Sequence, residues 1–176
     1  MNDKTEAPGS WDYCNNSALK RASRQLGQLY EDIMAPSGLR ATQYALLTQI
    51  KLGGATPLKA LAEAMVMDLS ALGHTLKPLL RDGMVELVPD EKDRRVKRVR
   101  LTASGEAKWA EAQLLWRDAQ DRFDRAFGKD AADALRQTMN LISSGGFAEA
   151  FADAKPTSPN RDKCVSAGQT SPIKRG

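Results

Sequence analysis

A run of cations near the middle of the chain is the part of this sequence best suited to bind a ligand. Six positive side chains fall within nine residues: Lys92, Arg94, Arg95, Lys97, Arg98 and Arg100. Cations at this density suit the phosphates of a nucleic acid, and phosphate contacts give affinity and a steep salt dependence rather than a choice of sequence. Arg94, Arg95 and Lys97 are predicted to contact DNA, whereas Arg98 and Arg100 are predicted only to cover the outer face of a strand. The alternative is a solvated, charged hairpin.

Two short strands joined by a loop are predicted to carry these cations. Residues 84–88 are strand-like and end at Pro89, and residues 96–101 alternate between apolar and basic side chains. Alternation of this kind is typical of a strand with one buried face. The pattern therefore predicts a β-hairpin whose loop and outer face are basic.

Two helices are predicted to precede the hairpin. Thr56 is expected to cap the first helix and Pro57 to occupy its first position, because these residue types suit those places. A tight turn at Val66 and Met67 leads to Asp68, which is expected to cap the second helix. Leucines recur at helical spacing along one face of that second helix: Leu69, Leu72, Leu76 and Leu79.

The opposite face of the second helix carries small or polar side chains that a partner can approach closely: Ser70, Ala71, Gly73, His74 and Lys77. The Ser70 hydroxyl can form a hydrogen bond with a base edge, and the Ala71 methyl can contact the methyl group of a thymine. The Lys77 ammonium can reach a phosphate. His74 is the sole histidine, so it supports neither a metal site nor a catalytic triad. It is expected to donate to a base or phosphate, the alternative being simple exposure. Gly83 is expected to end this helix in the left-handed conformation, and Pro78 to kink it.

A helix-turn-helix followed by a basic hairpin has the shape needed to hold a duplex, with one helix in the major groove and the hairpin along the backbone or in the minor groove. Double-stranded DNA is therefore the leading predicted partner. A second hypothesis is that the basic face docks an acidic protein. The sequence lacks a glycine-rich phosphate loop, metal-ligand spacing and a nucleophile elbow. We therefore predict no catalytic residue, metal or cofactor, and do not expect an enzyme.

The composition sets further bounds. The chain has 176 residues and a net charge of +4, with 41% hydrophobic and 27% charged residues, as one soluble globular domain would have. No apolar run approaches the roughly 18 residues of a membrane span, and the polar start is unlike a signal peptide. Cys14 and Cys164 are too far apart in sequence to form a disulfide framework. These features predict a cytoplasmic protein that binds no membrane.

Long amphipathic helices flank the central module and need apolar partners. A homodimer would bury them and would space two recognition helices by about one DNA turn, ~34 Å, to fit a pseudo-palindromic operator.

The last helix is expected from about residue 130 to 151, with a weak point at Gly145 and Gly146. The predicted division of the chain is a flexible N terminus (1–10), a winged-helix domain (11–152) with a DNA-binding lobe (about 41–101) between dimerisation helices (about 11–35 and 103–152), and a disordered tail (153–176). The predicted fold class is mainly α with a small β-hairpin wing.

The helix-turn-helix, then LLRDGMVE, then PDEKDRRVKRVRLTASGEA, resembles the MarR family of bacterial winged-helix regulators. Its most characteristic part is Asp93 and Arg95 followed by VRLTASG, and the resemblance covers about residues 13–150. It implies a homodimer in which terminal helices form the dimer platform. Most members repress transcription and release DNA when a small aromatic carboxylate, a phenol or an oxidant acts on them.

The resemblance also implies roles for particular residues. Four residues of the second helix fall where family members contact base edges: Ser70, Ala71, Gly73 and His74. Arg95 falls at the wing tip that enters the minor groove, and Asp93 would orient Arg95 through a charge-assisted hydrogen bond. The family often has Arg or Lys where His74 stands and rarely a glycine at Gly73, which leaves open which bases are contacted.

An effector site and a thiol switch complete the expectations. Tyr30, Tyr44 and Trp109 are candidates to line an aromatic-ligand pocket, and Arg40 is a candidate partner for a ligand carboxylate. The alternative for the tryptophans, which repeat at heptad-like spacing, is a place in the core or dimer seam. Cys14 falls near a helix start, where the helix dipole favours the thiolate. It is therefore a candidate for redox sensing, the alternative being a small half-buried residue at the dimer seam.

Overall fold

The computed structural model describes residues 13–154. The predicted flexible N terminus (1–10) lies outside the described residues, as does the predicted tail from residue 155 onward, including Cys164. The chain forms two compact units that divide between Ala132 and Asp133.

The elements follow one another in the order expected of a winged helix-turn-helix. They are α1 (Asn15–Met34), a short 3-10 turn (Ala35–Ser37), α2 (Ala41–Gly53), β1 (Thr56–Pro57), α3 (Leu58–Ala64), α4 (Leu69–Arg81), β2 (Val85–Pro89), β3 (Lys97–Leu101), α5 (Ala103–Phe127), α6 (Lys129–Ile142) and α7 (Gly145–Asp153). The predicted fold class, mainly helical with a small β wing, is confirmed.

The sheet has three antiparallel strands in the order β1–β3–β2, one more than the predicted hairpin. Thr56 pairs with Val99, and Pro57 pairs with Arg98. The prediction that Thr56 caps α3 and Pro57 opens it is therefore wrong, because both residues belong to a strand and α3 begins at Leu58. An edge strand tolerates a proline, since one side of its backbone needs no partner.

Strand β2 shows the same tolerance at the other edge of the sheet. The sequence predicts a strand that stops before Pro89, but Pro89 belongs to β2 as its last residue and pairs with Lys97. The loop between β2 and β3 therefore spans residues 90–96, which is as long as the predicted loop of residues 89–95 and lies one position later. It forms the tip of the wing.

The core lies between α2, α3, α4, the sheet and α5. The leucine face of α4 supplies Leu72, Leu76 and Leu79, all buried, whereas Leu69 is 57% exposed. Leu69 was expected on the same buried face, but it is the first residue of the helix and lies beyond the core. Burying three leucines is worth several kcal/mol, at roughly 1.5–3 kcal/mol for each side chain, so this face fixes the opposite face of α4 toward solvent.

The ends of α4 are set by local chemistry, as predicted. Asp68 caps the helix by accepting a hydrogen bond from the amide of Ala71 at 2.7 Å. Gly83 follows its last turn with φ of 66°, a left-handed conformation that glycine adopts without steric cost. The helix continues through Pro78 to Arg81.

The single last helix predicted for residues 130–151 is instead two helices, α6 and α7. Ser144 starts the second one by accepting a hydrogen bond from the amide of Phe147 at 3.2 Å. A serine at this position competes for the backbone and ends the preceding helix. Within residues 13–154, none of the helices has the length and apolar character that a membrane span requires.

Candidate nucleic-acid interface

The solvent face of α4 holds the residues predicted to contact bases and phosphate. Ser70, Gly73, His74 and Lys77 are exposed, and Ala71 is half-buried. A Cβ built at Gly73 would meet nothing within 4 Å. Because packing does not require a glycine there, its effect is to leave this face open to a close partner.

The wing presents its cations at the tip. Arg94, Arg95 and Lys97 are exposed, and the side chain of Arg95 is 94% exposed. Asp93 Oδ1 accepts hydrogen bonds from the Arg95 backbone amide at 3.0 Å and from Arg95 Nε at 3.3 Å. The contact expected between these two residues is therefore present, and it holds the guanidinium near its own backbone.

Asp90, which the sequence patterns did not single out, organises the wing loop. Asp90 is only 8% exposed. Oδ1 accepts hydrogen bonds from the amides of Lys92 at 2.8 Å and Asp93 at 3.0 Å, and Oδ2 accepts one from Arg98 Nε. These bonds, the one from the Asp93 amide above all, hold the pKa of Asp90 below its usual value. The available signal was an aspartate directly after a strand, which favours a turn closed by its own side chain.

The two arginines of the outer strand face make ion pairs within the protein. Arg98 pairs with Asp90 and also donates from Nη1 to the carbonyl oxygen of Ala55 at 2.7 Å. Arg100 Nε pairs with Glu86 Oε1 at 2.8 Å. These contacts agree with the expectation that Arg98 and Arg100 lie on the strand face rather than at the tip.

The base of the wing is joined tightly to α5. Thr102 caps α5 by accepting from the Gly105 amide at 3.1 Å, and its hydroxyl donates to the Gly83 carbonyl at 2.6 Å. A Cβ on Gly105 would lie 1.9 Å from the Met84 carbonyl oxygen. The glycine of the TASG segment is therefore required by the close approach of this helix to the β2 end of the wing.

A cavity of about 640 Å³ lies among α1, α2 and α5. Tyr30, Tyr44 and Trp109, all predicted to line an effector pocket, do line it, together with Trp116. Arg40 is not among its lining residues. It is exposed ahead of α2, where its amide donates to Gln43 Oε1 at 2.9 Å.

The polar groups of the cavity wall are held in place by one another. Trp109 Nε1 donates to Thr48 Oγ1 at 3.0 Å, and Thr48 Oγ1 donates to the Tyr44 carbonyl at 2.9 Å. The rings of Tyr44 and Trp116 are 6.0 Å apart between centroids, and burial raises the pKa of the Tyr44 phenol. The wall therefore offers aromatic faces beside an indole nitrogen and a hydroxyl that are already hydrogen-bonded.

Lys51 supplies the charge that was expected from Arg40. Among the described residues that line the cavity, it is the one with a charged side chain. Its ammonium lies 5.6 Å from the centroid of the Trp109 ring and pairs with Glu106 in the first turn of α5. No sequence pattern indicated that α5 would meet Lys51 there.

Cys14 lies immediately before α1 and is exposed in the single chain. Hydrogen bonds from the side chain and the amide of Ser17 lower the pKa of its thiol. The thiol is therefore accessible in the single chain, and its lowered pKa favours the thiolate, the form that reacts with oxidants.

Comparison with known proteins adds to this geometry. Residues 39–97 match the model of the MarR family. The multiple antibiotic resistance protein MarR of Salmonella typhimurium is 32% identical over 80 residues, which are 46% of this chain and 56% of that protein. The match thus spans little more than half the length of this curated relative.

Solved structures match over more of the chain. The M. tuberculosis transcriptional regulator MosR in complex with DNA is 36% identical, with a TM-score of 0.66, over 78% of this chain and 97% of that one. The transcriptional repressor CouR bound to a 23-mer DNA duplex shares the fold, with a TM-score of 0.71 at 24% identity over 77% and 96% of the two chains. CouR from Rhodococcus jostii RHA1 bound to p-coumaroyl-CoA also shares it, with a TM-score of 0.67 at 18% identity over 78% and 97%.

Proposed function

Because the chain belongs to the MarR family, we propose that it is a transcriptional regulator that binds double-stranded DNA as a homodimer. The observation that carries this proposal is the pairing of an open, polar face on α4 with a wing whose tip is cationic. In this arrangement α4 enters the major groove and the wing follows the backbone toward the minor groove.

Each part of the interface has a distinct task. Ser70, Ala71 and His74 face base edges and contribute to the choice of sequence, while Gly73 lets the helix approach closely. Lys77, Arg94 and Lys97 bind phosphates, and Arg95 enters the minor groove with Asp93 fixing its direction. These assignments rest on exposure and position in this chain, and the DNA complex of the similar protein MosR supports DNA as the partner.

Exposed apolar side chains in both units support the dimer. Leu19 and Leu29 of α1 are 44% and 50% exposed, and Phe151 of α7 is 75% exposed. A monomer would leave these groups in water, whereas a two-fold dimer buries the same surface on both copies. The dimer fits a pseudo-palindromic operator, and binding there in the cytoplasm would repress transcription.

A small aromatic ligand is the proposed effector. The cavity offers the faces of Tyr44, Trp109 and Trp116 to a ring. It offers Lys51 to an anionic or phenolic oxygen, which would compete with Glu106, a partner that is 43% exposed and therefore less shielded than Asp90 beside Arg98. Its volume of about 640 Å³ lies within the range of small-molecule sites, about 300–1,000 Å³. The ligand would lower operator affinity by favouring the state that binds DNA poorly, and by no more than its difference in affinity for the two states.

A thiol switch on the same frame is a second candidate. The exposure of Cys14 and its lowered thiol pKa favour it. If peroxide releases the wild-type protein from DNA and fails to release Cys14→Ser, the thiol rather than a cavity ligand controls binding.

Fluorescence anisotropy with duplexes tests the proposed function. The full-length protein is titrated into a labelled duplex from upstream of its own gene and into a shuffled duplex of equal composition, at several salt concentrations. We expect saturable binding to the first duplex about 10³-fold tighter or more than to the second, since specific complexes exceed non-specific ones by about 10³–10⁷. Equal, salt-sensitive binding to both, with tight capture of an acidic protein, would instead identify the basic face as a protein-docking surface.

A further inference from the structure

We propose that Arg98, although it belongs to the basic run, does not touch DNA and is a positioning residue that fixes the wing to the segment after α2. This inference rests on the proposed function, because the position of the wing matters only if the wing binds DNA. Its structural half, the fixing of the loop, is independent of that function.

The guanidinium of Arg98 joins two parts of the chain that are distant in sequence. Nε bonds the carboxylate of Asp90 at the start of the wing loop, and Nη1 donates to the carbonyl of Ala55, 43 residues earlier, at 2.7 Å. Arg98 lies on the central strand, opposite Val88 on one side and Pro57 on the other. One side chain therefore links the loop to the backbone that leaves α2.

Asp90 carries the link into the loop itself. Besides Arg98, its carboxylate holds the amides of Lys92 and Asp93. The Asp90 amide donates to the Val96 carbonyl at 2.9 Å, and the Val96 amide donates to the Asp93 carbonyl at 2.9 Å. Without Arg98 the carboxylate would keep its two amide donors but lose its opposite charge, and a shielded ion without a counter-ion is costly. Removing Arg98 should therefore loosen the backbone of residues 91–96, which carries Arg94 and Arg95.

The charge of Arg98 is already neutralised within the protein. Its side chain is 35% exposed and that of Asp90 only 11%, so a phosphate would have to displace a shielded carboxylate to bind it. Arg100 provides a matched comparison on the same strand face. It pairs with Glu86, directly opposite on β2, and its ion pair stays within the hairpin.

The first test measures loop order without DNA. Hydrogen exchange of the amides of residues 91–96 is followed in wild type, Arg98→Gln and Arg100→Gln. We expect exchange at least ten times faster in Arg98→Gln and within two-fold of wild type in Arg100→Gln. Equal exchange in all three proteins would overturn the proposal, whether or not the protein binds DNA.

The second test separates positioning from phosphate contact in the full-length protein. Arg98→Lys keeps the charge but lacks the planar fork that reaches both partners. If Arg98 bound a phosphate, Lys would preserve affinity and salt slope. The proposal predicts instead that Arg98→Lys weakens duplex binding about as much as Arg98→Gln, with Asp90→Asn behaving likewise and Arg100→Gln within three-fold of wild type.

A double-mutant cycle measures whether Arg98 acts through Arg95. In the wild-type background Arg95→Ala should weaken binding by about ten-fold, and in the Arg98→Gln background by less than two-fold, because the Arg95 side chain of a displaced wing no longer reaches the duplex. Additive effects, with full binding by Arg98→Lys, would contradict the proposal. Failure of the wild-type protein to bind any duplex would contradict the proposed function instead, and the exchange measurement would still decide the role of Arg98.

Discussion

His74 and Arg95 are both exposed, and the proposed complex gives them different tasks. In that complex His74 lies on the groove-facing side of α4, where imidazole nitrogens can bond base edges, and Arg95 lies on the wing, where base edges are fewer and the phosphates are close. A helix backed by three buried leucines holds the first side chain, and an aspartate two residues away holds the second.

We therefore expect His74→Ala to change sequence preference more than overall affinity. Removal of one hydrogen bond to a base edge should cost about 1–3 kcal/mol of discrimination at one base pair and leave non-specific binding intact. Selection from a randomised duplex library would show relaxed preference at one position in each half-site. An unchanged selected motif would remove His74 from the interface.

At the scale of elements, the junction between the wing and α5 depends on a missing side chain. Gly105 lies against the Met84 carbonyl with no room for a Cβ. The hydroxyl of Thr102, which caps α5, donates to the carbonyl of Gly83 just after α4. This contact joins the first turn of α5 to the backbone just before β2. It thereby connects the wing to the helix whose next turns line the cavity.

Gly105→Ala should lower the free energy of unfolding by about 1–3 kcal/mol, the usual cost of forcing atoms into a packed site. Gly73→Ala is the matched control, because it adds the same methyl group to a helix where nothing lies within 4 Å. It should raise stability by about 0.5–1 kcal/mol through helix propensity. Thermal unfolding that ranks the two variants in the opposite order would refute the role given to Gly105.

The Asp90 carboxylate gives the wing a defined acid response. Its folded-state pKa lies below the unfolded value of about 3.9, so the charged form stabilises the fold above that value. This contribution disappears as pH falls through the lowered pKa. Thermal unfolding of wild type and Asp90→Asn from pH 7 to pH 3 should show a stability difference that is constant above about pH 5 and narrows below pH 4. A difference independent of pH would mean that the charge of Asp90 is unimportant.

What the sequence could predict among these elements was local. The cap at Asp68, the left-handed Gly83 and the leucine face of α4 depend on residues within one or two turns of each other. The strand at Thr56, the bond from Arg98 to Ala55 and the exchange of Arg40 for Lys51 as the cation of the cavity depend on contacts between distant segments. Periodicity and capping rules contain no information about such contacts.

At the scale of the whole molecule, the proposed function requires two copies of α4 at a fixed separation. Leu19 and Leu29 in one unit, and Phe151 in the other, are exposed apolar side chains that a second copy would cover in the proposed dimer. Two recognition helices held by such a dimer match half-sites about one turn, or ~34 Å, apart.

Insertion of five base pairs between half-sites should therefore abolish tight binding, because it turns one half-site to the opposite side of the duplex. Insertion of ten should retain part of the affinity. Analytical ultracentrifugation should give two chains per duplex. Equal affinity for all three spacings would show that each chain binds alone.

The salt dependence of duplex binding tests the central claim most directly, with Arg95→Ala compared with wild type and with Arg24→Ala, which removes an exposed cation from α1. The slope of log K against log salt concentration should become shallower by about 0.9 for each phosphate that the protein no longer neutralises. Arg95→Ala should show this change with weaker binding to every sequence, and Arg24→Ala should not. An unchanged slope and affinity in Arg95→Ala would contradict the placement of the wing on DNA.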